Sequence, residues 1–124
     1  MTAQAKAVTR QVAYRAGLSA EAAVARHYEH AGHAIQAIRW RGQAGEIDLI
    51  ARDGDGLIFI EVKKSKNFAN AARSLSDRQI ARIYAAAGEY LGQMPLGQLT
   101  ETRFDLAMVD VSGHIEVLEN AIGF

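Results

Sequence analysis

The chain has 124 residues and no cysteine. That length allows one hydrophobic core, and the missing thiols exclude disulfide frameworks, zinc ribbons and cysteine chemistry. Hydrophobic residues make up 49% and charged residues 23%, the composition of an ordinary globular domain. No apolar run approaches the ~18 residues that span a bilayer, and Met1 to Arg15 lacks the apolar core of a signal peptide. The expected location is the cytoplasm, with no membrane partner.

The zero net charge conceals blocks. Residues 1–45 carry six Lys/Arg against two acids, residues 46–62 one against five, residues 63–84 six against one, and residues 85–124 one against six. An acidic block between two basic ones is the order that a phosphate-binding groove with a metal site in its floor requires. Solvated helix faces would give the same count, and charge alone favours that plainer explanation.

In chain order, residues 1–16 have weak periodicity and read as a frayed helix. A firmer helix is expected from Ser19 to Ala31, with Ser19 as N-cap, Glu21 in the first turn and Gly32 as terminator. Ala34–Arg41 reads as a strand. Glu46–Arg52 and Leu57–Lys63 flank the turn-rich Asp53-Gly54-Asp55-Gly56, a β-hairpin pattern. Ser76–Leu91 repeats apolar residues at helical spacing, with Ser76 and Gln79 as a capping box and Gly92 as C-cap. Arg103–Val111 and His114–Leu118 read as two more strands. The 124 residues thus form a single α/β domain in the order α-β-β-β-α-β-β, a mixed sheet with helices packed on it.

The hairpin holds the chemistry. A turn centred on Gly54 and Asp55 sets Asp48 opposite Glu61 and Glu46 opposite Lys63, all on one face. Ile47, Leu49, Ile58, Ile60 and Val62 fall on the other face, free to bury against a helix. Opposed carboxylates have Cβ atoms about 5 Å apart and repel. A rule broken without visible compensation points to function, and the missing compensation is a hard cation. Mg²⁺ or Mn²⁺ takes one or two carboxylates and completes its shell with water and substrate phosphate. Lys63 is placed to orient a water or neutralise developing charge. A solvated ion-pair ladder accounts for the same spacing about equally well.

Gly17, Glu21, Gly32, Trp40-Arg41, Gly45-Glu46-Ile47-Asp48-Leu49-Ile50, Phe59-Ile60-Glu61-Val62-Lys63, Arg78-Gln79 and Arg103-Phe104-Asp105 together resemble the YraN family of small bacterial endonuclease-like proteins. That family is similar to the wider PD-(D/E)XK nucleases, with their restriction-endonuclease-like fold. The resemblance runs from about residue 10 to 110. It implies Asp48, Glu61 and Glu21 as metal ligands, Lys63 as the catalytic lysine, and Gln79 as a polar active-site residue on the second helix. The chain departs from the family pattern at Arg39, where asparagine is usual, at Ser65, where a basic residue is common, and at Arg78, where lysine is expected. No metal ligand is touched by these departures.

Arg41, Lys64, Lys66, Arg78 and Arg82 are the expected phosphate contacts, Arg73 belongs to the same basic block, and a solvated helix face is the alternative. Trp40 is equally balanced between a nucleic-acid surface and the core. His27, His30 and His33 recur every third residue, but solvated histidines near a helix end outnumber metal pairs. Arg103 and Asp105 read as a structural ion pair. The expected function is an Mg²⁺- or Mn²⁺-dependent endonuclease acting on DNA, branched or single-stranded, with RNA as a second candidate and a homodimer left open. The alternatives are a nucleic-acid-binding module without turnover and a scaffold for assembly.

Overall fold

The computed structural model describes residues 18–69 and 75–121. The first helix, α1, covers residues 18–30 of this span. Residue 18 is already helical, so Ser19 lies within the helix and is not its N-cap; the helix start, like the expected N-terminal frayed helix and Arg73, falls outside the described residues. Gly32, at φ 93°, ends α1. The Gly32 N–H donates to Glu29 O and the His33 N–H to Tyr28 O, the paired bonds of a Schellman motif.

Three strands follow, β1 (Ile35–Arg41), β2 (Glu46–Asp53) and β3 (Gly56–Lys64). Helix α2 (Asp77–Leu91) carries the expected capping box: Gln79 N–H donates to the Ser76 hydroxyl and Ser76 N–H to the Gln79 side chain. A 3₁₀ turn at Gly97–Leu99 leads to β4 (Thr102–Val109) and β5 (Ile115–Leu118). β4 stops two residues early because the Asp110 carboxylate accepts from the Ser112 and His114 amides, which turns the chain.

The sheet order is β1-β2-β3-β4-β5. β3 and β4 are parallel and the other pairs antiparallel, so α2 serves as the crossover between two parallel strands. The helices cover opposite faces. Val24 and Tyr28 of α1 pack with Leu49, Ile58, Ile60 and Ala107. Ile83, Ala87 and Tyr90 of α2 pack with Ile47, Ile50, Phe59 and Phe104. This α-β-β-β-α-β-β mixed sheet between helices is a restriction-endonuclease-like fold. Among the described residues, no helix is long and apolar enough to cross a membrane.

The hairpin register is the expected one from Asp53↔Gly56 to Leu49↔Ile60. Two expectations fail beyond it. Ile47 does not share a face with Leu49; it joins Ile50 in the α2-side cluster. Its cross-strand neighbour Trp40 joins Ala37 there, three residues away. Both strands therefore lose their two-residue alternation beside Arg39, whose φ of 52° is left-handed. The second failure is the Glu46–Lys63 pair, because the β2–β3 ladder ends at Leu49↔Ile60 and Glu46 turns toward β1.

A buried carboxylate ties the layers together. Asp105 is 0% exposed and accepts from the Tyr28 hydroxyl of α1 at 2.7 Å, from Arg103 at 2.9 and 3.0 Å, and from Asn120 N–H at 2.9 Å. The Arg103–Asp105 pair is structural, as its place in the strand suggests.

Candidate metal and nucleic-acid site

The site forms where β2 and β3 separate. Past Leu49 and Ile60 the strands stop exchanging backbone bonds, and the Asp48 side chain takes over: its Oδ2 accepts from Val62 N–H at 2.8 Å. Asp48 and Glu61 face a cavity of about 290 Å³, together with Arg39, Glu46, Gln79 and Arg82. The cavity lies between the β1–β2 loop and the first two turns of α2.

Burial sets the electrostatics. The Glu61 carboxyl is pushed up to about 8, first by desolvation and then by the charge of Asp48, with Lys63 opposing. Asp48 is also raised, chiefly by desolvation, and hydrogen bonds from Val62 N–H and from Glu61 partly offset this. Both carboxyls are thus biased toward the protonated form, and the pair favours carrying one negative charge between them. Lys63 Nζ lies 3.9 Å from Glu61 Oε1.

Glu21 reaches the same region from α1. Its side chain is 8% exposed and its Oε2 is 3.2 Å from Arg39 Nε. Its carboxyl is raised by burial and by Asp48, with Arg39 pulling the other way. Arg39 Nε also lies 3.5 Å from Glu46 Oε1, and Arg41 is 3.2 Å from Glu46 Oε2. The Gln79 side-chain oxygen accepts from Ser76 N–H at 2.9 Å, which leaves its amide N–H groups as donors at the cavity wall.

The residues expected to act together are thus mostly assembled: Asp48, Glu61, Gln79 and Arg82 line one cavity, Lys63 sits beside Glu61, and Glu21 approaches through Arg39. The outer cations are dispersed. Arg41 is 80% exposed and paired with Glu46. Arg78 and Lys66 are exposed, and Lys64 lines a separate cleft with Ser19 and Ala20 of α1 and Val109 of β4. Trp40 is core, edge-on to Tyr90 at 5.3 Å. His33 lies beyond α1, its Nδ1 2.9 Å from Arg52 O, and His27 and His30 are exposed.

Arg39 draws notice in the sequence only as a cation beside Trp40 and as a departure from the family pattern, and the structure makes it a wall of the site. One residue escapes the sequence reading altogether. Glu89 of α2 accepts from the N–H groups of Gln43, at 3.0 Å, and Ala44, which fixes the loop bearing Gly45 and Glu46. Its distance from the loop in sequence left no signal.

The donor set fits a hard cation. Two carboxylates crowded into one half-buried site favour a neutralising charge, and their oxygens are the donors Mg²⁺ and Mn²⁺ take. Among the described residues, no three His, Asp or Glu side chains converge on one point. Asp48 and Glu61 are the side chains that could hold such an ion, with water and phosphate left to complete its shell, the usual habit of Mg²⁺.

Residues 20–109 match the model of "Uncharacterised protein family UPF0102". A UPF0102 protein of Cereibacter sphaeroides is 63% identical over 111 residues, covering 90% of this chain and 95% of the relative. One from Ruegeria pomeroyi is 55% identical over 108 residues, covering 87% and 88%. One from Dinoroseobacter shibae is 48% identical over 104 residues, covering 84% and 78%. With β1 to β4, helix α2, nearly all of α1 and the Asp48–Glu61–Lys63 hairpin inside the matched span, the chain belongs to UPF0102, the YraN family.

Proposed function

We propose that the protein is a cytoplasmic endonuclease, dependent on Mg²⁺ or Mn²⁺, that hydrolyses phosphodiester bonds in DNA. The observation that carries this reading is the Asp48–Glu61 pair, two half-buried carboxylates on opposed strands with raised proton affinity and a lysine 3.9 Å from one of them. A stability-driven hairpin has no use for that pair.

When bound at Asp48 and Glu61, the ion supplies positive charge to the scissile phosphate and acidifies a water. The remaining roles belong to side chains. Lys63 holds the attacking water or neutralises charge on the phosphate oxygens. Gln79 and Arg82, on the α2 wall, orient the phosphate. Glu21 is an outer carboxylate, either a further ligand to the ion or the base that takes up the proton released by the water. Attack of that water on phosphorus breaks one ester P–O bond, and the products are a phosphate monoester and a hydroxyl that gains a proton.

The test is a cleavage panel of single-stranded, duplex, flap and four-way-junction DNA, with RNA counterparts, in Mg²⁺, Mn²⁺ and EDTA. Wild type should cut at least one substrate with metal and none in EDTA. Asp48→Ala and Glu61→Ala should each abolish cutting while retaining nucleic-acid affinity. A variant of either residue that cuts at wild-type rate refutes the assignment. Salt-dependent binding with no cleavage in any metal would leave the binding-module reading in its place.

A further inference from the structure

Arg39 breaks the pattern of its strand. Its φ of 52° is a left-handed conformation that non-glycine residues keep only where the surroundings impose it. Its guanidinium supplies the reason. Nε lies 3.2 Å from Glu21 Oε2 and 3.5 Å from Glu46 Oε1, between one carboxylate from α1 and one from β2. The contact with Glu21 is electrostatic and poorly directed, because Glu21 Oε2 is fully buried yet accepts no aligned hydrogen bond.

Two further facts give the arrangement a direction. Asp48 and Glu61 lack a third converging acid among the described residues. Glu21 lies close enough to feel the charge of Asp48 and to act on Glu61, but its charge is committed to Arg39. Meanwhile Arg39 lines the cavity with Arg82 and keeps 36% of its side chain exposed. A phosphate entering there meets a guanidinium fork that bonds phosphate in two-pronged fashion.

We propose that Arg39 is a positioning residue that latches Glu21 away from the Asp48–Glu61 pair, and that a nucleic-acid phosphate entering the cavity draws the guanidinium off and frees Glu21 to join that pair. The latch rests on Asp48 and Glu61 being a divalent-cation site, as argued above. Charge is conserved in the exchange: Arg39 passes from carboxylate to phosphate, and Glu21 from guanidinium to cation. Completion of the cation site then waits for substrate, and the two binding events are thermodynamically coupled.

The experiment is calorimetric titration of Mn²⁺ into the full chain, metal alone, for wild type, Arg39→Asn, Arg39→Asn/Glu21→Gln, Arg82→Gln and Asp48→Asn. Asparagine tolerates left-handed backbone, so Arg39→Asn relaxes the strand as it opens the latch; Arg39→Gln serves as a second variant should the first fold poorly. Arg39→Asn should bind Mn²⁺ about tenfold tighter than wild type, inside the range usual for coupled sites. Adding Glu21→Gln should cancel the gain. Arg82→Gln removes the same charge from the same cavity without touching Glu21 and should gain only about twofold by general electrostatics. A thymidine tetranucleotide should tighten Mn²⁺ binding to wild type by a larger factor than to Arg39→Asn, in which only direct phosphate coordination remains to couple the two. If Asp48-dependent binding is present but the Arg39 variants gain no more than Arg82→Gln, or keep their gain without Glu21, the latch is wrong and the cation site stands. If neither wild type nor the Arg39 variants bind Mn²⁺ through Asp48, both the cation site and the latch are refuted.

Discussion

Replacing Glu61 by glutamine should make the metal-free protein more stable at pH 8 and flatten its stability against pH. In the wild type Glu61 holds its proton up to about pH 8 in the folded state, against an ordinary value of 4.5. A carboxyl raised in this way leaves stability fully present below about pH 4.5. That stability is lost as the pH climbs, and the loss is complete above about pH 8. Within that window the folded state binds one proton more than the unfolded chain, so the limiting slope is a loss of about 1.4 kcal/mol per pH unit. Water reaches the site, since Glu61 keeps 18% of its side chain exposed. About half the limiting loss, roughly 2 kcal/mol between pH 5 and 8, is therefore the expected size. The glutamine amide can donate to Asp48 as the protonated acid does, and losing Lys63 at 3.9 Å forfeits little at so long a separation. Thermal melts in EDTA at half-unit steps from pH 4.5 to 8.5 give the readout. The two proteins should coincide at the acid end and separate by about 6–10 °C at pH 8. A variant that keeps the wild-type slope, or melts lower at pH 8, would show that Glu61 is charged and satisfied in the fold.

Three other outcomes follow from specific side chains. An alanine variant of Lys64, Lys66, Arg78 and Arg82 should lower the slope of log affinity against log salt by about 0.7–0.9 for each phosphate that is no longer neutralised, and an unchanged slope in a binding titration removes these side chains from the interface. Tyr28→Phe deletes the 2.7 Å donor to Asp105 and should cost about 1.5–3 kcal/mol in urea unfolding, with Mn²⁺ affinity unaltered; a loss of metal binding would tie the Asp105 network to the site. Gly42→Ala sets a Cβ 2.6 Å from the Trp40 ring and 2.5 Å from Glu89 Oε2. It should destabilise the fold by about 1–3 kcal/mol, and a neutral melt would mean that the loop is free to shift.

The elements that the sequence defines well are those with local causes. The Ser76–Gln79 box and the hairpin turn at Gly54-Asp55 are written into a few neighbouring residues, and they lie where expected. The Asp48–Glu61 juxtaposition follows from the same turn, because hairpin register propagates from it. What the pattern could not reveal is the end of that propagation. The ladder stops at Leu49↔Ile60 since the Asp48 side chain, not its backbone, meets Val62, and period-two reasoning assumes an unbroken pleat. Ile47 changed faces for the same reason. Ser19 failed as a cap because the helix already includes residue 18. Arg39 and Glu89 depend on partners 18 to 46 residues away, pairings that only the closed fold brings about.

Helix α2 holds both the cavity wall and the loop that roofs it. Gln79 and Arg82 face the cavity, and Glu89, further along the same helix, grips the amides of Gln43 and Ala44. A Cβ placed on Gly45 would already touch Arg82 O at 3.7 Å. Helix and loop consequently form one jaw, tied at both ends of the cavity wall. The opposing jaw is α1, which carries Glu21 and is pinned to β4 through Tyr28 and Asp105. The Arg39–Glu21 contact at 3.2 Å is the clasp between them. Because α1 and α2 pack on opposite faces of the sheet, any displacement of one relative to the other would have to be taken up at that contact.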